Sequence, residues 1–247
     1  MTVTVRILLT LGLIFGALPP ASAQDSGTID LELALLVDVS SSVNDEEYRL
    51  QADGLAAAFR NPVVRDALAR VARRGVAVAV IQWANHANQR TAVNWMLLRG
   101  DAEIERLAVR IETMVRLDNR GHTAIGSAID FSLGELESNR FAGTRRVIDV
   151  SGDGRVNDGT PLSAARERAL SRGVTINGLA ILNELPFLDR YFHQYLIGGE
   201  GSFVMVAEDY VDFAVAMARK LVREIEAAPL ARRQVPNATR LAEAPEP

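Results

Sequence analysis

The sequence contains no cysteine and only three histidines. Without cysteine, the chain can form neither disulfides nor zinc–thiolate sites, and it cannot use a cysteine nucleophile. The histidines His86, His122 and His193 are isolated from one another, and no H-E-x-x-H motif occurs. The hydrophobic core must therefore be sufficient to hold the fold, and a metal site would have to rely on oxygen ligands.

The sequence also has no excess of positive charge. Lysine and arginine together number 27 against 31 aspartates and glutamates, which gives a formal net charge of −4. Such a chain has no basic field to attract nucleic acid or anionic lipid, so neither is expected as a partner. The 247 residues are 48% hydrophobic and 23% charged, which is typical of a globular protein with one large core or two small ones.

The two ends of the sequence differ from the rest. Residues 1–23 combine Arg6, an apolar run and a closing Ala-Ser-Ala, which predicts a cleaved secretory signal peptide and a periplasmic or secreted protein. The alternative is an uncleaved anchor, although the apolar run is short for a bilayer span. No later run is long and apolar enough to span. Residues 228–247 contain four prolines, and we expect a disordered tail there.

Between these ends, apolar strand-like segments alternate with amphipathic helix-like segments. Several strand-like segments are apolar on both faces, as in a buried parallel sheet. The pattern predicts an α/β domain over 28–227, with a single doubly wound, mostly parallel, Rossmann-like sheet that carries helices on both faces. The predicted strands are 30–38, 75–84, 91–98, 145–154, 174–181 and 202–207, and the predicted helices are 45–62, 101–115, 123–138, 160–173, 186–197 and 209–226.

Oxygen-bearing side chains stand near the ends of predicted strands. Asp38, Ser40 and Ser42 follow the first strand at alternate positions, Thr123 begins a helix, and Asp153 lies at the end of a later strand. Ligands of such sheets bind beyond the carboxyl ends of the strands, so we expect these five residues to converge. Two carboxylates and three hydroxyls suit a hard cation, Mg²⁺ first and Mn²⁺ or Ca²⁺ as alternatives. Without a cation, repulsion between the acids should raise a pKa.

These residues, in this order, resemble the metal-ion-dependent adhesion site (MIDAS) of von Willebrand factor A domains. The resemblance covers residues 30–226 and is closest to secreted bacterial A-domain-like proteins of uncharacterised function. It implies that the hydroxyls bind the metal directly or through water, that the acids do so largely through water, and that an acidic residue of a protein partner completes the shell. A metal-dependent protein-binding module is therefore expected.

The sequence departs from the family pattern at one position. The family usually has Thr-Asp-Gly at the third piece of the motif, whereas here Gly152 precedes Asp153. Asp153 keeps its place in the order, but the local turn and the reach of the carboxylate are altered.

Simpler roles exist for the same side chains. Asp38, Ser40 or Ser42 could cap the helix that follows them, and Thr123 could be the N-cap of its own helix. The run from Asp149 to Thr160 partly fits a calcium-binding EF-hand loop, but it lacks the bidentate glutamate at its twelfth position. Alternation within the strand instead predicts that Asp149 is a buried or interface acid rather than a ligand.

Two further functions remain open at this stage. A metal-dependent hydrolase could use the same oxygen ligands, with His122 as the only plausible base, although no G-x-S-x-G or acid-x-acid nucleophile loop is present. Alternatively, the metal could have structural value alone. The sequence identifies neither the protein partner nor the oligomeric state.

Overall fold

The computed structural model describes residues 28–117 and 121–227, which form one six-stranded sheet and its covering helices. The predicted signal peptide and the predicted tail lie outside these residues. The strands are β1 (Thr28–Asp38), β2 (Val76–Trp83), β3 (Gln89–Leu98), β4 (Ala142–Gly152), β5 (Val174–Ile181) and β6 (Val204–Ala207). The helices are α1 (Asp45–Arg60), α2 (Pro62–Val71), α3 (Asp101–Glu112), α4 (Ile125–Ser138), α5 (Leu162–Ser171), α6 (Leu188–Tyr191, continued by a π-helical segment Phe192–Leu196) and α7 (Phe213–Glu226).

The strand order is β3-β2-β1-β4-β5-β6, and every neighbouring pair is parallel except β2 and β3. The order reverses beside β1, since the chain leaves β1 toward β2 and later returns to place β4 on its other side. In a doubly wound sheet this switch point opens a crevice at the carboxyl ends of the strands. The predicted fold class is therefore confirmed, and the crevice lies between the ends of β1 and β4.

Alternation along the central strands supplies two separate cores. On one face of the sheet, Leu33 and Leu35 of β1 pack in a cluster with residues of α1, α2, α3 and α7, among them Phe59. On the other face, Leu36 packs with residues of α4, α5 and the π-helical segment, among them Phe192. A fully buried Leu or Phe side chain contributes roughly 1.5–3 kcal/mol, so burial on both faces fixes the central strands firmly.

The main error in the predicted elements concerns α2. Pro62 was expected to end the first helix, but it begins a second one, because proline is favoured as the first helical residue. The Asn61 side chain accepts a hydrogen bond from the Val63 amide and caps this helix. Across the described ranges, no helix combines the length and apolarity needed to cross a membrane.

Candidate metal site

Asp38 is the last residue of β1, and its side chain is wholly buried at the switch point. Its Oδ1 accepts a hydrogen bond of 2.8 Å from the Ser40 amide, and its backbone carbonyl accepts one of 3.1 Å from the Gln51 side chain. The other carboxylate oxygen, Oδ2, is buried and has no hydrogen-bond partner among the described residues. A buried carboxylate oxygen without a donor is destabilising, so a ligand bound at this atom would stabilise the site.

Hydroxyl groups connect this position to the end of β4. The Ser40 and Ser42 hydroxyl oxygens lie 3.2 Å apart, and the Ser42 hydroxyl donates to Oδ1 of Asp153 at 2.8 Å. Ser40 and Asp153 are buried, whereas Ser42 is exposed. The structure therefore brings these three side chains into one hydrogen-bonded group that opens to solvent at Ser42.

Thr123 lies on the adjoining loop. Its amide donates to the Asn157 side chain at 2.7 Å, and its carbonyl accepts from the Asn157 amide at 3.1 Å. Its Oγ1 is 3.3 Å from the point where a Cβ on Gly154 would stand. The Thr123 hydroxyl therefore lies beside the turn that carries Asp153, next to the hydrogen-bonded group.

The capping roles considered for these residues are wrong. Helix α1 is capped by Asn44, whose side chain accepts from two amides of the first turn while Glu47 bonds back to the Asn44 amide. Helix α4 begins after Ala124 and has no side-chain cap, so Thr123 is not its N-cap.

Gly152, the departure from the family pattern, has a steric explanation. A Cβ at this position would stand 2.8 Å from Oδ2 of Asp38 and 3.3 Å from Cζ2 of Trp83. Trp83 pairs with Asp38 in the register of β1 and β2 and is fully buried. In this chain the indole and the Asp38 carboxylate together fill the space that a side chain at position 152 would need.

The surroundings of Asp38 alter its ionisation. Burial raises the pKa of Asp38 to about 8, and the nearby charge of Asp153 adds to the shift, while hydrogen bonds from Ser40 oppose it. Arg116 opposes the shift least. The expected rise in a carboxylate pKa is thus seen, although burial contributes more to it than repulsion does.

Sequence reasoning missed one contact of the site. Tyr210, three residues before α7 and 3% exposed, donates its hydroxyl to Oδ2 of Asp153 at 2.9 Å. Burial, followed by the charges of Asp153 and Asp38, raises the pKa of this phenol, so it remains a protonated donor. In the sequence, Tyr210 is distinguished only as an aromatic residue among acids. No local pattern links it to Asp153, which lies 57 positions earlier.

The EF-hand alternative is excluded because the Asp149 side chain forms a buried ion pair elsewhere in the fold. This residue lies within β4, is buried, and stands 2.9 Å from the Lys220 ammonium rather than beside Asp153. The prediction that Asp149 is a buried or interface acid is confirmed. Within the described ranges, no group of three or more histidines, aspartates and glutamates lies close enough together to hold a metal.

The remaining donor set fits a hard cation. It offers carboxylate and hydroxyl oxygens at one end of the sheet, and one buried carboxylate oxygen lacks a donor within the described ranges. Mg²⁺, Mn²⁺ and Ca²⁺ take such oxygen ligands.

Solved structures with the same fold include proximal thread matrix protein 1 from the mussel byssus. One structure of it has a TM-score of 0.60 and 20% identity, and another, described as having a zinc-occupied MIDAS motif, has a TM-score of 0.54 and 19% identity. Each similarity covers 80% of this chain and 48% of that chain, so the present chain spans about half the length of the mussel protein.

A bacterial structure, a von Willebrand factor type A protein from Catenulispora acidiphila, has a TM-score of 0.52 and 20% identity, and the similarity covers 79% of this chain and 42% of that one. At these identities the similarity shows the fold, which is that of a von Willebrand factor A domain. A sequence search of curated proteins found no significant match. The profile of one family, described as "Protein of unknown function (DUF1194)", matches residues 28–229, and the chain therefore belongs to that family.

Proposed function

We propose that the protein is a periplasmic or secreted binding module that uses a divalent cation to capture an acidic group of a protein partner. The ligands would be Asp38, Ser40, Ser42, Thr123 and Asp153. The observation that carries the proposal is the buried Oδ2 of Asp38, which has no donor among the described residues. The other oxygen of this carboxylate bonds to Ser40, whose hydroxyl belongs to the group that opens to solvent. Similarity in fold to a matrix protein with a zinc-occupied MIDAS motif supports a divalent metal.

The residues of the site divide into buried and exposed members. Asp38, Ser40, Thr123 and Asp153 are buried, and only Ser42 is exposed. A partner would therefore approach over Ser42. A bound Mg²⁺, Mn²⁺ or Ca²⁺ would offset the charge of the two acids and accept a carboxylate from outside as a further oxygen ligand. This arrangement favours recognition of an acidic side chain over recognition of a neutral one.

The loops around the opening would provide selectivity. They are 85–88, 119–122 and 155–158, of which residues 119 and 120 lie outside the described ranges. His86 and Asp158 join two of these loops, since the His86 amide and Nδ1 both lie 2.9 Å from the same Asp158 oxygen. The His86 side chain is 66% exposed, so it is available to a partner.

Calorimetric titration with Mg²⁺ tests the metal site directly. The wild-type protein should bind one ion, whereas the Asp38→Ala and Ser40→Ala variants should show no measurable binding. Ser41→Ala is the matched control, because Ser41 is exposed in the same loop but lies off the alternation that brings the Ser40 and Ser42 hydroxyls together. Equal binding by the wild type and Asp38→Ala would refute the ligand assignment.

Partner capture tests the second half of the proposal. Immobilised protein should retain its partner in Mg²⁺ and lose it in chelator, and Asp38→Ala should fail in both conditions. A partner that stays bound in chelator would show that recognition does not pass through the metal. Similarity in fold to matrix and pilus proteins supports a binding role rather than hydrolysis.

A further inference from the structure

We infer that Tyr210 is a positioning residue of the metal site, which holds the Asp153 carboxylate in place for a bound cation. The inference rests on the proposed metal binding and adds a residue outside the motif. Tyr210 is 3% exposed, and its hydroxyl donates to Oδ2 of Asp153 at 2.9 Å. It comes from the loop between β6 and α7 and donates to a different oxygen of Asp153 from the one that Ser42 uses.

The two acids of the site are held differently. Both oxygens of Asp153 already accept hydroxyl donors, Oδ1 from Ser42 and Oδ2 from Tyr210. Within the part of the chain that the structure describes, Asp38 accepts a donor only at Oδ1, and its Oδ2 is unpartnered. Asp153 is therefore fixed in orientation before any ligand arrives, whereas Asp38 keeps a free oxygen.

A tyrosine suits this position because it is a neutral donor. A buried carboxylate oxygen needs a hydrogen-bond donor or an opposite charge beside it, because an unpartnered polar group in the interior is costly. A lysine or arginine in the same place would meet that need, but its charge would repel a bound cation. The Tyr210 hydroxyl stabilises the Asp153 carboxylate and leaves the site attractive to a metal. Groups behind metal ligands commonly act in this way, and their loss typically weakens metal binding by 10–100-fold.

The loop fixes the ring independently of any metal. Tyr210 belongs to the core cluster beneath α7, which also contains Phe213 and Leu221. The preceding Asp209 side chain accepts hydrogen bonds of 2.8 and 2.9 Å from the amides of Val211 and Asp212, which closes the turn. The hydroxyl is thus held by packing and by local hydrogen bonds, as a positioning group requires.

The test compares Tyr210→Phe with Tyr48→Phe by Mg²⁺ calorimetry and by urea unfolding in chelator. Phenylalanine keeps each buried ring and removes only the hydroxyl. Tyr48 is the matched control: it is 6% exposed, and its hydroxyl bonds to the Met114 carbonyl at 3.1 Å and to the Gln82 side chain at 2.9 Å. Each variant should lose some stability, but only Tyr210→Phe should bind Mg²⁺ about tenfold more weakly.

The outcomes separate this inference from the proposed function. Unchanged Mg²⁺ affinity in Tyr210→Phe, with a stability loss like that of Tyr48→Phe, would overturn the inference and leave the metal site standing. A wild-type protein that binds no Mg²⁺, Mn²⁺ or Ca²⁺ would remove both. Weaker binding in both variants would also count against a specific role for Tyr210, because a general loosening of the fold would then explain the effect.

Discussion

Replacing Gly152 with alanine should damage the candidate metal site while leaving the fold intact. The added Cβ would stand 2.8 Å from Oδ2 of Asp38 and 3.3 Å from Cζ2 of Trp83, whereas ordinary contacts begin at 3.4 Å. The buried indole has little room to move, and the Asp38 carboxylate is tied to the Ser40 amide by its other oxygen. The carboxylate would therefore have to rotate or shift to accept the methyl group.

The expected cost follows from these distances. Overpacking of this kind typically lowers the free energy of unfolding by about 1–3 kcal/mol. A glycine-to-alanine change also restricts the unfolded chain, which raises the free energy of unfolding by about 0.4–1 kcal/mol. The free energy of unfolding should therefore fall by roughly 1–2 kcal/mol, which lowers Tm by about 2–4 °C for each kcal/mol in a domain of this size. Because the displaced atom is the unpartnered oxygen of the site, Mg²⁺ affinity should fall at least about tenfold.

Thermal unfolding in chelator and Mg²⁺ calorimetry would measure the two effects. Gly134→Ala is the matched control, because Gly134 lies within α4 and a Cβ there meets no atom within 4 Å. That variant should gain about 0.5–1 kcal/mol from helix propensity and bind Mg²⁺ normally. The reasoning would be refuted if Gly152→Ala matched the wild type in Mg²⁺ affinity and equalled or exceeded it in Tm.

Three further predictions concern pH, a buried ion pair and a helix cap. Folding raises the pKa of Asp38 from 3.8 to about 8, so the folded state binds more protons than the unfolded state between these pH values. The free energy of unfolding of the metal-free protein should therefore fall as the pH rises through that window. For this one group the fall is at most about 1.4 kcal/mol per pH unit. Urea unfolding in chelator at pH 5 and pH 8 would measure the fall, and a flat profile would contradict it. Lys220→Met should lower the free energy of unfolding, measured in urea, by about 3–5 kcal/mol. The reason is that Asp149 and Glu224 would remain buried without the ammonium that lies 2.9 and 3.0 Å from them. An unchanged urea midpoint would show that this cation does not stabilise the fold. Asn44→Ala removes the cap of α1 and should cost about 1 kcal/mol in thermal unfolding, so an unaltered Tm would contradict the assigned cap.

The sequence by itself determined the fold class, because hydrophobic periodicity records which faces of a strand or helix are buried. The apolar run of β1 predicted burial on both faces, and both faces are buried. The alternation of strands with helices predicted the parallel sheet, but not the antiparallel β3 at its edge, since periodicity does not reveal strand direction. Helix α2 was missed because Pro62 is equally compatible with the end of one helix and the start of the next.

The candidate site also has features that the sequence predicts and features that it does not. The order and spacing of Asp38, Ser40 and Ser42 could be read directly, because residues two apart on an extended chain face the same side. The role of Gly152 and the contact of Tyr210 with Asp153 could not. The first depends on where the Trp83 indole stands, and the second joins residues 57 positions apart. Only tertiary packing decides such contacts, because local sequence patterns carry no information about which distant side chains meet.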